Sequence, residues 1–121
     1  MATVNYSTTN FGGLGAARTI VKWSGVTMDD VGQPYDMGDK FPYSVTIERT
    51  TASGDAEINI KGSNKDSSPS TGASVGNVTD GGAILHFTNR AARWYWPVPS
   101  GDTGNTFNVY LLVGPAPLLD L

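Results

Sequence analysis

The chain has 121 residues, 39% of them hydrophobic, with 15 glycines, 7 prolines, no cysteine and a net charge of −3. That length suits one domain with a single core. The lack of cysteine excludes disulfides and thiolate zinc sites, and basic residues scattered from Arg18 to Arg93 on an acidic chain argue against a nucleic-acid partner. No apolar run approaches the about 20 residues that cross a bilayer. The start, Met1-Ala2-Thr3-Val4-Asn5, has neither the charged nor the apolar region of a signal peptide. The expectation is a protein made in a cytoplasm, without a membrane partner.

Residues 1–17 are polar and then glycine-rich, with Gly12, Gly13 and Gly15 against strand formation. They read as a flexible N-terminal arm, with Phe11 and Leu14 as its adhesive side chains. Arg18 to Ser24 is the first strand, with Thr19, Val21 and Trp23 on one face. A long acidic loop follows, and its Met28, Val31, Tyr35 and Met37 are too apolar for a free linker.

Tyr43, Val45 and Ile47 alternate with polar residues, and after residues 50–55 Ala56, Ile58 and Ile60 repeat the pattern. The two runs read as a β-hairpin, with Ile47 opposite Ile58 and Val45 opposite Ile60. That register also sets Glu48 across from Glu57, a like-charge pair. Gly62 to Gly82 is small and polar, an exposed excursion with a short strand around Val75 to Val78. Ala83, Leu85 and Phe87 alternate in a further strand.

Arg93 to Val98 puts Trp94 and Trp96 on one side and Tyr95 on the other, and Pro97 and Pro99 mark a sheet edge. Phe107, Val109, Leu111 and Val113 make the last strand. Residues 114–121, Gly-Pro-Ala-Pro-Leu-Leu-Asp-Leu, read as an extended tail whose Leu118, Leu119 and Leu121 need an apolar surface. The pattern as a whole is an all-β antiparallel β-sandwich, jelly-roll or Ig-like, over residues 18–113, with extended arms at both ends.

The chemistry is sparse. His86 is the one histidine, which excludes multi-histidine metal sites, and no nucleophile-elbow, phosphate-loop or dinucleotide motif occurs. Glu48 and Glu57 read as solvated surface acids. Asp29, Asp30, Asp36 and Asp39 share one loop without EF-hand spacing, and turn or capping roles account for them better than a cation. No enzyme, cofactor or metal is expected. Trp94, Tyr95 and Trp96 present the alternative of a sugar-stacking platform.

The order of short motifs is more telling. Trp23-Ser24-Gly25 is followed by Asp30-Val31-Gly32-Gln33-Pro34, then by Ile58-Asn59-Ile60-Lys61-Gly62-Ser63-Asn64. Asp80-Gly81-Gly82 and Trp96-Pro97-Val98-Pro99-Ser100-Gly101-Asp102-Thr103-Gly104 complete the series. Over roughly residues 18–113 this order resembles small head decoration, or cement, proteins of tailed bacteriophages, encoded near the major capsid protein. The departures are Lys65 where an acidic residue is usual, Trp96-Pro97 for Arg-Pro, and no tryptophan in the inserted stretch after Lys65. The resemblance implies a homo-oligomeric structural protein on the capsid exterior that binds the major capsid protein. Phe11, Leu14, Tyr35, Met37, Leu118, Leu119 and Leu121 are the expected partner-binding residues. The alternative is a carbohydrate- or host-surface-binding module of a head fibre or tail.

Overall fold

The computed structural model describes residues 2–12, 17–50, 56–79, 84–87, 92–101 and 105–115. Among them are eleven strands. The larger sheet is antiparallel, in the order β2 (Tyr6–Phe11), β3 (Arg18–Thr27), β11 (Thr106–Gly114), β6 (Phe41–Arg49), β9 (Leu85–His86). The smaller, also antiparallel, runs β5 (Tyr35–Asp36), β10 (Trp94–Gly101), β7 (Ala56–Ser63), β8 (Ala73–Thr79). A short parallel pair joins β1 (Thr3–Val4) to β4 (Val31–Gly32).

The two sheets share one core, built by the inward parity of each long strand. Val21 and Trp23 come from β3, Val45 from β6, and Phe107, Val109, Leu111 and Val113 from β11. Ile58 and Ile60 of β7, Val78 of β8 and Tyr95 of β10 face them. The architecture is all-β and sandwich-like. Its centre is β11, flanked by β3 and β6, and all four of its odd-numbered apolar side chains are buried.

The expected 43–64 hairpin does not form. β6 pairs with β11 and β9, whereas β7 pairs with β10 and β8, so the two strands lie in different sheets. Val45 and Ile58 do join the same core, but from opposite walls. Alternation requires only that one face of each strand be covered by a facing layer, and it does not specify which strand lies beside it in the ladder. The Glu48–Glu57 pair disappears with the hairpin. Glu48 stands beside Asn108 and accepts from Asn108 Nδ2 at 2.9 Å and Tyr110 Oη at 3.2 Å. Glu57 lies between Ser100 and Thr79.

A further expectation changes. Residues 3–11 are not an arm but strands: β1 pairs with β4, and β2 runs the length of β3 from Trp23 to Arg18. Five of the six β2 residues are exposed, so no apolar row marks this strand in the sequence, and the backbone ladder defines it. The stretch after β7 is exposed as expected, with its strand at β8, but it is also tied to β10. Trp94 Nε1 donates to Lys65 O at 2.9 Å, the Arg93 N–H donates to Asn64 Oδ1 at 2.9 Å, and Gly72 lies against the Trp96 ring. Pro97 and Pro99 behave as expected, because β10 has β5 beside it only at Trp94 and Tyr95 and is an edge beyond.

Candidate functional site

Of the residues expected to bind a partner, Leu14, Leu118, Leu119 and Leu121 lie outside the described residues. Their neighbours in the chain meet at one corner of the larger sheet. A Cβ placed on Gly114 would sit 3.3 Å from Ala17 O, and Tyr43 Oη donates to Pro115 O. The Arg18 guanidinium stacks 4.2 Å above the Tyr43 ring, and Phe41 packs edge-on against Tyr43 at 5.2 Å. Phe11 is opposite Arg18 in the β2–β3 ladder and 46% exposed. An open cavity of about 260 Å³ there is lined by Ala17, Thr19, Asp39, Lys40, Gly114 and Pro115. The corner thus combines aromatic faces with two cations.

Tyr35 and Met37 are placed differently from expectation. Both are buried in the core, Met37 completely, and present no surface to a partner. The loop that carries them is stitched to the domain: β5 pairs with β10, the Met37 N–H donates to Arg93 O at 2.8 Å, and Tyr6 packs edge-on to Tyr35 at 5.2 Å. The apolar residues of this loop complete the core from which it departs.

Trp94, Tyr95 and Trp96 keep their predicted alternation but form no common platform. Tyr95 is fully buried, stacked on Phe87 at 5.5 Å, and its hydroxyl oxygen accepts from the Ala92 N–H at 3.3 Å. Trp96 is only 5% exposed beneath the 64–72 loop. Its remaining edge lines a groove of about 400 Å³ with Pro34, Pro69, Gln33, Thr3, Ser68 and Ser70. Trp94, half-buried, lies under the Arg93 guanidinium at 5.2 Å.

The acidic loop divides into structural roles. Asp36 receives Arg93 in a two-point pair, at 3.1 Å from Nε and 2.9 Å from Nη2, and also accepts from the Gly38 N–H at 3.0 Å. The hydrogen bonds that Arg93 donates to the Asp36 carboxylate raise the Arg93 pKa further. Asp30 Oδ2 accepts from the Thr27 N–H at 3.0 Å and from Thr27 Oγ1 at 2.8 Å. Among the described residues no three His, Asp or Glu side chains are grouped to hold a metal. His86 lies exposed opposite Ser44.

The Asp30 bonds have a consequence for pH. Thr27's backbone and hydroxyl donors favour the carboxylate and hold its pKa below the ordinary 3.8. A lowered folded-state pKa stabilises the native turn above pH 3.8, and that contribution is lost as pH falls through the folded value. An NMR titration of the Asp30 carboxyl should therefore show a midpoint below 3.8, with the Thr27 amide shift following it. A midpoint at or above 3.8 would contradict the assigned hydrogen bonds.

No protein-family model, curated protein or solved structure matches this chain.

Proposed function

We propose that this protein is a non-enzymatic structural component of a bacteriophage virion: a decoration or cement protein. In this reading it attaches to the capsid exterior after synthesis in the host cytoplasm and stabilises contacts between major capsid proteins. The finer description that goes with it is a jelly-roll or Ig-like sandwich, homo-oligomeric, whose ends are the adhesive segments. The observation that supports this reading is where the resembling motifs lie. Gly32 of the Asp30–Pro34 motif is pressed between Trp23 and Pro97, and Gln33 O accepts from Trp23 Nε1 at 3.0 Å. Asn64, which ends the Gly62-Ser63-Asn64 motif, accepts from Arg93 beside the same strand.

These motifs are thus one framework, knotted around Trp23 and β10, and they carry no chemistry. A rigid frame without an active centre suits a protein whose work is adhesion, because many weak contacts repeated over a shell become strong through multivalency. The corner holding Phe11, Arg18, Tyr43 and Pro115 is the surface we assign to the capsid.

The deciding experiment mixes purified protein with expanded heads that lack it and sediments them. Saturable pelleting at a fixed ratio to the capsid protein, with heads more resistant to heat, is expected. Phe11→Ser or Arg18→Glu at that corner should abolish pelleting with the circular dichroism unchanged, and unchanged pelleting would overturn the site. The groove at Trp96, lined by prolines, hydroxyls and an amide without a charge, favours a second reading as a binder of neutral glycans. Absence of pelleting, together with glycan-array binding lost in Trp96→Ala, would establish that reading in place of the first.

A further inference from the structure

Hydrogen-bond parity shows that the outer edge of β2 is open among the described residues. The Thr50 N–H donates to Thr106 O at 2.8 Å, so Asn108, Tyr110 and Leu112, of the same parity, turn their backbone groups toward β6. Val109 and Leu111 then turn toward β3 and bond Trp23 and Val21. Arg18, Ile20 and Lys22 turn the other way, to Phe11, Thr9 and Ser7 of β2. The backbone groups of Tyr6, Thr8 and Asn10 consequently point out of the sheet. The Tyr6 N–H does so, donating to Gln33 Oε1 at 3.4 Å. Beyond Thr8 and Asn10 there is no strand among the described residues.

Among the described residues the other edges are interrupted or short, β8 being bulged against β7 between Ile60 and Lys61. β10 carries Pro97 and Pro99 where β5 ends, β8 has the Leu85 side chain against Gly76, and β9 is two residues long. β2 has no such device: Tyr-Ser-Thr-Thr-Asn-Phe contains no charge and no proline, and it pairs with β3 without a bulge. An open, flat, uncharged edge of six residues is a template for another strand.

We propose that β2 pairs antiparallel with β2 of a second copy, joining two five-stranded sheets into one. Opposed residues in such a pair share a face, so odd positions meet odd and even meet even. The Tyr6 N–H is already used, and Gly12, at φ 121°, ends the strand. The overlap is therefore Ser7 to Phe11, with its twofold axis at Thr9. Each Thr8 faces Asn10 of the second copy, and each such pair exchanges two N–H···O=C bonds.

The second copy is the occupant for two reasons. A strand opposed to itself about a twofold is self-complementary in length and register. Copies of net charge −3 also repel, and they meet at least cost along an edge that carries no charge. This inference deepens the homo-oligomeric part of the proposed function and does not depend on its capsid part.

Analytical ultracentrifugation of the full chain over a concentration series tests it. A reversible dimer is expected, with the Asn10 amide slow to exchange with solvent. Thr8→Pro removes an N–H that points outward and spares the β2–β3 ladder, so the mass should halve with the near-ultraviolet circular dichroism unchanged. Thr8→Lys, which keeps the backbone and adds a charge one residue from the axis, should do the same. A monomer at every concentration, a trimer, or a dimer indifferent to both substitutions would overturn the pairing. A monomer that still pellets with heads overturns this inference alone, and a dimer that does not pellet overturns the capsid assignment alone.

Discussion

Trp23→Ala is expected to lower the unfolding free energy by about 3–5 kcal/mol, the cost of removing a large aromatic from a packed core. Trp23 is all but fully buried on β3, opposite Val109, and packs edge-on to Tyr6 at 6.1 Å. Its Nε1 also holds Gln33 O at 3.0 Å, so truncation strips the 31–35 loop of a donor and adds about 1 kcal/mol to the loss. Against a domain stability of about 5–15 kcal/mol, that is a large fraction of the whole.

Urea denaturation followed by circular dichroism reads the effect as a lower midpoint. Trp23→Phe separates the two contributions: it keeps most of the packing but loses the indole N–H, and should cost markedly less. If Trp23→Ala falls within about 1 kcal/mol of the parent, Trp23 does not link sheet and loop as described.

Gly32→Ala should be nearly as damaging, for the opposite reason. A Cβ at position 32 would lie 2.3 Å from Pro97 Cδ, 2.6 Å from Pro97 Cγ and 2.9 Å from Trp23 Cδ1. None of these atoms is the end of a flexible chain. The Pro97 ring is rigid, and β10 is held against β7 by the ladder that pairs Pro97 with Ile60. The strand and the loop must separate, which places the cost toward the upper part of the about 1–3 kcal/mol of overpacking.

The clash itself can be tested by a double-mutant cycle. Pro97→Ala removes the closest atoms, so Gly32→Ala should cost less in that background, with a coupling of about 0.5–3 kcal/mol. Strictly additive effects would mean that Gly32 is constrained by something other than Pro97. The same contact gives the Asp30–Pro34 motif a physical basis: its glycine is needed because β4 passes directly over β10.

The candidate surface was legible only in part. Phe11 was identified as an adhesive side chain from its place beside a glycine run, and it is exposed, but on a strand and not an arm. Tyr35 and Met37 are too apolar for solvent, and both are buried. Hydropathy says that such a side chain must be covered and not by what, and their own core covers both. The open β2 edge left no trace in side-chain patterning, because its property lies in the orientation of backbone N–H and C=O groups. The uncharged Thr8 to Asn10 run becomes informative only once β3 is known to occupy the other side.

By itself the sequence determined that the chain is all-β, which positions point inward on β3 and β11, and that Pro97 and Pro99 lie at a sheet edge. Each of these follows from the two-residue period or from proline's missing donor, which are local properties of the chain. Tertiary structure alone decided that Val45 and Ile58 join one core from separate sheets, that β11 lies at the centre of the larger sheet, and that Thr3–Val4 and Tyr6–Phe11 are strands. A strand's alternation is equally satisfied by any neighbour that covers its apolar face. The choice among neighbours is made by the packing of the whole core and by the ladders that distant segments complete.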